Sequence, residues 1–134
     1  RMLDDGDLSF ANLHSGQEFE EYLQRIFTRL GYDARLTDKA GGDQGADLIL
    51  RKQGFTYVVQ AKFYEKPVGN KAVQEVSAAL RWYGASLGIV VTNSTYTKSA
   101  RSLAVKNRVT LIDGDQLKSL VKMAYSERAL THFF

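Results

Sequence analysis

The chain contains no cysteine, which excludes disulfide bonds, thiolate zinc sites and a cysteine nucleophile. Its two histidines, His14 and His132, lack metal-ligand spacing, so histidine-based catalysis is not predicted and both are interpreted as surface or terminal residues. No apolar run approaches the ~20 residues needed to cross a bilayer. The composition therefore predicts a reducing, cytoplasmic setting and no membrane segment.

The 134 residues, of which 44% are hydrophobic, predict a single domain over residues 1–134. The opening pair Arg1-Met2 is compatible with a domain excised from a longer chain. Residues 1–67 carry a net charge of −2 and residues 68–134 a net charge of +5. This distribution permits a polyanionic partner such as DNA, although from charge alone chance unevenness of a solvated surface is the favoured explanation.

The first half of the chain has the pattern of one helix followed by three strands. Ser15-Gly16-Gln17-Glu18 has capping-box spacing and precedes apolar residues at helical intervals, which predicts a helix over about 16–30 that ends at Gly31. The pair Gln53-Gly54 predicts a tight hairpin turn. The predicted strands cover residues 32–37, 46–51 and 55–63.

The second half alternates helices and strands. Asn70 is expected to cap a helix over about 71–83. The aromatic side chains near the end of this helix, Trp82 and Tyr83, are predicted to be buried. The other predicted elements are a strand over 87–92, a helix over 95–106, a strand over 109–112 and a helix over 116–123. The predicted fold class is therefore α/β, with a mixed central β-sheet flanked by helices in the order α-β-β-β-α-β-α-β-α.

Three polar residues are predicted to meet on the predicted hairpin. If Gln53-Gly54 forms a two-residue turn, Asp47 lies opposite Gln60, and strand alternation places Lys62 on the same face as Gln60. The strand around them is apolar, and burying an unpaired charge there is costly. A divalent cation bound by the oxygen atoms of Asp47 and Gln60 would explain the placement, and Mg²⁺ or Mn²⁺ prefers such ligands.

Glu20 lies at the edge of the apolar stripe of the first helix and is a further candidate ligand for the cation. Lys62 beside the cation could orient or deprotonate an attacking water molecule. The simpler alternatives are a cross-strand ion pair between Asp47 and Lys62 and a surface glutamate at position 20. The loop over residues 41–45 is interpreted as shaping the pocket, because it lacks the ending of a P-loop.

These motifs resemble those of a known family. Gly42-Asp43-Gln44-Gly45-Ala46-Asp47 followed by Val58-Val59-Gln60-Ala61-Lys62 is similar to the catalytic domain of Mrr-like restriction endonucleases, a branch of the PD-(D/E)xK nuclease superfamily. The resemblance covers about residues 15–121. Ala46 stands in place of the nominal proline, and Gln60 stands where most of the superfamily has a carboxylate.

The resemblance implies a restriction-endonuclease-like fold and a role for each motif residue. Asp47 would be the motif aspartate, Lys62 the catalytic lysine and Glu20 the acid on the first helix, with Gln60 in the Gln-x-Lys form of this branch. Gln74 would be an accessory polar contact. Polar or basic residues at the starts of segments near the site are candidates for contacts with nucleic acid: Lys66, Lys71, Asn93, Lys98 and Arg101.

The first hypothesis for function is therefore a Mg²⁺- or Mn²⁺-dependent DNA endonuclease, similar to type IV restriction enzymes and acting in defence against foreign DNA. One alternative is a structure-selective nuclease similar to Holliday-junction resolvases, and another is a catalytically silent nucleic-acid-binding domain with the same fold. A small-molecule-binding α/β domain is less favoured because no nucleotide fingerprint is present. DNA is the expected partner, a homodimer is left open, and no small-molecule cofactor is expected.

Overall fold

The computed structural model describes residues 9–38 and 45–126. The predicted loop over residues 41–45, apart from Gly45, and His132 lie outside the described residues. Among the helices that the described residues form, none is long and apolar enough to cross a membrane. The helices are α1 (Gly16–Arg29), α2 (Asn70–Trp82), α3 (Lys98–Asn107) and α4 (Gly114–Ala124), and the strands are β1 (Asp33–Leu36), β2 (Leu48–Lys52), β3 (Phe55–Lys62), β4 (Leu87–Thr92) and β5 (Val109–Ile112).

The five strands form one mixed sheet in the order β1-β2-β3-β4-β5. Strands β1, β2 and β3 pair antiparallel, whereas β3, β4 and β5 pair parallel. The parallel strands are joined through α2 and α3, because a parallel connection needs a crossover of a dozen or more residues. The predicted fold class and element order are thus confirmed.

Helices cover both faces of the sheet. Helices α1 and α4 pack on the face that includes Val59, and helices α2 and α3 pack on the face that includes Val58. Neighbouring strand residues point to opposite faces, so every second residue of β3 is directed at the same pair of helices. This alternation decides on which face of the sheet the side chain of each polar residue of β3 lies.

Local signals set several of the element boundaries. The Ser15 hydroxyl accepts a hydrogen bond from the Glu18 amide at 3.1 Å, which satisfies one of the free amides at the start of α1. At the hairpin, Gln53 and Gly54 have φ angles of 52° and 85°, and Lys52 pairs with Phe55. Two positive φ angles in a two-residue turn match the right-handed twist of the flanking strands. The predicted hairpin is therefore confirmed.

Several predicted boundaries were wrong: β2 begins at Leu48 and so leaves Asp47 outside the strand, and α4 begins at Gly114, two residues earlier than predicted. Helix α2 begins at Asn70 and its N-cap is Gly69, which makes no side-chain capping bond, so Asn70 is a helical residue and not the cap. Helix α3 begins at Lys98, three residues later than predicted, because Tyr96 pairs with Val68 in an isolated β-bridge and the Thr97 hydroxyl caps the helix by accepting a hydrogen bond from the Ala100 amide at 3.0 Å. Side-chain caps and bridge pairing override the apolar period at such ends.

The burial of Trp82 was also predicted wrongly. Its side chain is 69% exposed, whereas Tyr83 is half-buried and packs beside the residues between α2, α3 and the sheet. Trp82 is the last residue of α2, so its side chain extends past the end of the sheet layer beneath it. It lies at the end of the sheet opposite to the predicted catalytic residues.

Candidate active site

The parallel strands bring several chain segments to one edge of the sheet. Strands β3, β4 and β5 end there at Lys62, Thr92 and Ile112, and β2, which runs antiparallel to β3, begins there. We call this end of the sheet the carboxyl edge. In open α/β sheets the carboxyl ends of parallel strands form the usual ligand crevice, so this edge is the first place to look for a site.

Asp47 is held at the carboxyl edge by two hydrogen bonds to β3. Its backbone amide donates to the Val59 carbonyl oxygen at 2.7 Å, and its carboxylate Oδ2 accepts the Ala61 amide at 2.7 Å. The residue is only 8% exposed. A charge-assisted bond from a backbone amide fixes the carboxylate in place at the end of β3.

The predicted direct pairing of Asp47 with Gln60 is not formed. Regular pairing between β2 and β3 ends at Leu48 and Val59, and the Asp47 amide bonds to Val59 as well. Two successive residues then face one partner, as in a β-bulge. The irregularity turns the Asp47 side chain along the edge of the sheet, where it reaches the Ala61 amide.

Gln60 and Lys62 point to the α2 side of the sheet, as strand alternation predicted. Gln60 is only 5% exposed, yet its side chain makes no hydrogen bond to another described residue. Lys62 is fixed along its backbone, because the Thr92 hydroxyl donates to the Lys62 carbonyl oxygen at 2.7 Å. The amide of Gln60 is thus available to a ligand at a position where most of the residue is buried.

The ion pair that the structure shows for Lys62 is with Glu75 of α2. The Lys62 Nζ and the Glu75 Oε1 are 3.2 Å apart, and the two side chains are 19% and 32% exposed. The Glu75 Oε1 is itself buried and makes no hydrogen bond to any residue that the structure describes, so its contact with Lys62 is electrostatic. The cross-strand alternative, in which Lys62 pairs with Asp47, is therefore replaced by a contact between the sheet and a helix.

Glu75 is the residue that the sequence interpretation missed. The resemblance pointed to its neighbour Gln74, which is exposed and lies about 100° further round the helix. A sequence signal was present, since Glu75 directly precedes the buried Val76 and so lies at the boundary of the apolar face of α2. What could not be seen was that this boundary faces Lys62.

Gly45 holds the chain leading to Asp47 against α2. A Cβ atom at Gly45 would lie 2.3 Å from the Glu75 carbonyl oxygen, and the residue has a φ of +73°. Both the close approach and the positive φ favour glycine. The segment carrying Asp47 is thereby brought onto the same turn of α2 that carries Glu75.

Glu20 lies near the start of α1 and is half-buried. The ring of its neighbour Phe19 is 5.3 Å from that of Phe63, the residue after Lys62, so the start of α1 lies at the carboxyl edge. Helix α1 nevertheless packs on the face of the sheet opposite to Gln60 and Lys62. Glu20 would have to reach a cation around the edge of the sheet, and its role as a ligand stays a prediction.

The oxygen atoms at this edge fit a small, hard divalent cation. Asp47 and Glu75 each provide a carboxylate, and Gln60 provides an amide that makes no hydrogen bond to another described residue. Mg²⁺ and Mn²⁺ prefer such ligands and keep several water molecules. Within residues 9–38 and 45–126 no three acidic or histidine side chains are grouped for a metal, so the amide would have to contribute.

Four of the predicted nucleic-acid contacts are exposed and border the carboxyl edge. Lys66 lies in the loop after β3, while Lys71 and Lys98 lie in the first turns of α2 and α3. Arg101 is exposed but already 3.9 Å from Asp113 and stacked 5.9 Å over the Tyr96 ring. These positions are suited to phosphate contacts, because helix starts and basic side chains both favour anions.

Asn93 has a structural role at the carboxyl edge. Its Oδ1 accepts the Tyr64 amide at 2.8 Å and so joins the segments that follow β3 and β4. The turn after β4 is held further by the Tyr96 hydroxyl, which lies 2.8 Å from the Val90 carbonyl oxygen. Burial raises the pKa of Tyr96, so this hydroxyl stays protonated and remains a donor. A contact of Asn93 with nucleic acid stays a prediction.

Comparison with known proteins points to one family. The Mrr_cat model, described as a restriction endonuclease, matches residues 12–121, close to the range of the resemblance seen in the sequence. The type IV methyl-directed restriction enzyme EcoKMrr of Escherichia coli (strain K12) is 34% identical over 115 residues, which cover 80% of this chain and 38% of that enzyme. This chain thus spans well under half the length of this curated relative.

Solved structures show the same fold. The DNA modification-dependent restriction endonuclease AspBHI is similar with a TM-score of 0.63 and 18% identity, over 87% of this chain and 34% of that chain. The MspJI restriction endonuclease in complex with a 27-mer oligonucleotide is similar with a TM-score of 0.60 and 21% identity, over 83% of this chain and 29% of that chain. The fold is restriction-endonuclease-like, and the chain belongs to the Mrr_cat restriction endonuclease family.

Proposed function

We propose that this domain is a Mg²⁺- or Mn²⁺-dependent deoxyribonuclease of the type IV restriction kind, which cuts foreign DNA. Membership of a restriction endonuclease family supports nuclease chemistry. The observation that carries the proposal is the meeting of a fixed carboxylate, a buried amide and a lysine at the carboxyl edge, provided by Asp47, Gln60 and Lys62. Selection of the DNA target is assigned to other parts of a longer protein or to a partner.

Each site residue would have its own role in hydrolysis. Asp47 and Gln60 would hold the cation through oxygen atoms, with Glu20 as a further acid, and Lys62 would hold the attacking water through Nζ. A bound divalent cation polarises the phosphoryl group and stabilises the charge that develops on it. In the reaction, one P–O bond forms to water, one P–O ester bond breaks, and the leaving oxygen takes up a proton.

The first test is cleavage of plasmid DNA in different cations. We expect nicking or linearisation with Mg²⁺ or Mn²⁺, none with EDTA, and none with Ca²⁺, which binds oxygen ligands in a looser geometry. Replacing Asp47 by Asn should abolish cleavage because it removes the fixed carboxylate. Asp33→Asn, at an exposed position of β1 away from the carboxyl edge, is the matched control and should cut at the parent rate.

The outcomes of this test separate the candidate functions. Cleavage in EDTA, or by Asp47→Asn at the parent rate, would contradict the proposal. DNA binding without cleavage in any cation would support a catalytically silent nucleic-acid-binding domain. A strong preference for four-way junctions over linear duplex would support a structure-selective nuclease.

The basic residues at the carboxyl edge should make DNA binding depend on salt. Each phosphate contact contributes about 0.9 to the slope of log affinity against log salt. Lys98→Ala should therefore reduce the slope by about one unit. Lys106, which is exposed at the other end of α3, offers a matched control, and Lys106→Ala should leave the slope unchanged. Affinity measured by fluorescence anisotropy at several salt concentrations tests this, and a slope of zero for the parent would contradict it.

A further inference from the structure

We propose that Glu75 is an acidic ligand of the cation site beside Asp47 and supplies the negative charge that Gln60 lacks. This inference rests on the proposed metal-dependent function. It assigns a role in cation binding to helix α2, whereas the residues proposed from the sequence lie on the hairpin and on α1.

The position of the Glu75 carboxylate is the first argument. Its Oε1 is buried and makes no hydrogen bond to another described residue, and it lies 3.2 Å from the Lys62 Nζ. A surface glutamate would keep both oxygens hydrated, since desolvating a carboxylate without hydrogen bonds is unfavourable. The carboxylate is thus held among the site residues in a state that leaves an oxygen to be satisfied.

Gln60 provides the second, independent argument. Its side chain is more than nine-tenths buried, enters the same face of the sheet as Lys62 and makes no hydrogen bond to another described residue. A cation coordinated by its amide oxygen would satisfy that oxygen. Gln60 carries no charge, however, so a dication beside Asp47 and Lys62 would be poorly neutralised without another carboxylate.

The approach of Gly45 to α2 links Glu75 with Asp47. A Cβ atom added at Gly45 would lie 2.3 Å from the Glu75 carbonyl oxygen and 3.4 Å from the Glu75 Cα atom. The chain then passes through Ala46, which packs against α2, to Asp47. Asp47 and Glu75 therefore approach Gln60 and Lys62 from two sides, one along the sheet edge and one from the helix.

The ion pair and the cation would then share one carboxylate. Without a cation, Glu75 neutralises Lys62. With a cation bound, Glu75 would contribute an oxygen to it, and the Lys62 ammonium would be free to contact the attacking water. With Asp47 and Glu75 the site has two acidic charges before any contribution from Glu20, a charge count typical of weak to moderate divalent sites that retain water.

The test is titration of the full chain with Mn²⁺ by calorimetry, with thermal melts to verify folding. Glu75→Gln keeps the side-chain volume and should weaken Mn²⁺ binding by about ten- to a hundredfold, since carboxylate count sets the affinity for divalent cations. Glu65→Gln, at an exposed position after β3, is the control and should change the affinity less than about twofold. Gln60→Glu combined with Glu75→Gln restores the charge count and should recover most of the affinity.

An effect transmitted only through Lys62 must be separated from direct ligation. In the Lys62→Ala background, Glu75→Gln should still weaken Mn²⁺ binding at least about tenfold. This double variant removes both partners of the ion pair, so it leaves no unpaired buried charge and should fold even if Glu75→Gln alone does not. Equal affinities of Lys62→Ala and the double variant would overturn the proposal.

The failure of this inference is distinguishable from failure of the proposed function. If Asp47→Asn abolishes Mn²⁺ binding while Glu75→Gln leaves it unchanged, the metal site stands and Glu75 is not a ligand. If Asp47→Asn retains full Mn²⁺ affinity, the proposed site itself is wrong.

Discussion

Lys62→Ala is expected to reduce DNA cleavage by about a thousandfold while leaving DNA affinity largely unchanged. A positioned proton-transferring or water-orienting group contributes about 10²–10⁴ in rate. The exposed lysines that border the carboxyl edge, not Lys62, are the expected phosphate contacts, so binding should persist. Single-turnover cleavage in Mg²⁺ and anisotropy in Ca²⁺ measure the two effects separately.

The stability of Lys62→Ala must be known before its rate is interpreted. Removing the ammonium leaves the buried Glu75 Oε1 without its ion-pair partner, which we expect to cost about 1–3 kcal/mol of unfolding free energy. The exposed Lys122, in the last turn of α4, provides a control in which both stability and cleavage should be retained. Cleavage by folded Lys62→Ala at the parent rate would remove Lys62 from the mechanism.

Gly45→Ala is expected to lower the unfolding free energy by about 3 kcal/mol and to abolish Mn²⁺ binding. The backbone φ of +73° opposes a side chain by about 1–2 kcal/mol, and relieving the 2.3 Å contact with the Glu75 carbonyl oxygen adds about 1–3 kcal/mol. The clash can be relieved only by moving the Asp47 segment away from α2. Urea denaturation and Mn²⁺ titration measure the two effects.

Gly54→Ala is the control that separates the effect of backbone strain from the effect of the clash at Gly45. It has a φ of +85°, but a Cβ atom there would meet nothing within 4 Å. Gly54→Ala should therefore cost only about 1–2 kcal/mol of unfolding free energy and leave Mn²⁺ affinity unchanged. Similar losses of stability and of Mn²⁺ affinity in both variants would show that the contact of Gly45 with α2 does not shape the site.

Much of the fold was predictable because its signals are local. The bounds of β4 and β5 agree with prediction, since short apolar runs between turn residues are typical of buried strands. The hairpin at Gln53-Gly54 followed from its turn residues, and its register placed Gln60 and Lys62 on one face. Errors occurred where a helix end is decided by neighbours, as with Asn70 and the exposed Trp82.

The site was predicted in part for the same reason. Gln60 and Lys62 are two residues apart on one strand, so their shared face depends only on alternation. The placement of Asp47 depends on a bulge where β2 meets the edge of β3, and a bulge shifts the side-chain alternation by one residue. The predicted strand register therefore placed Asp47 near Gln60 correctly, but the direct pairing of the two residues was wrong.

The sequence by itself determined the order of the elements, the sharp hairpin and the face on which Gln60 and Lys62 lie, because turn chemistry and side-chain period act between near neighbours in the chain. Only the tertiary structure decided that Lys62 meets Glu75 and that Gly45 joins the Asp47 segment to α2. Those contacts join residues 13 to 30 positions apart. They depend on how α2 packs on the sheet, and no local pattern specifies that packing to within the few ångströms that an ion pair requires.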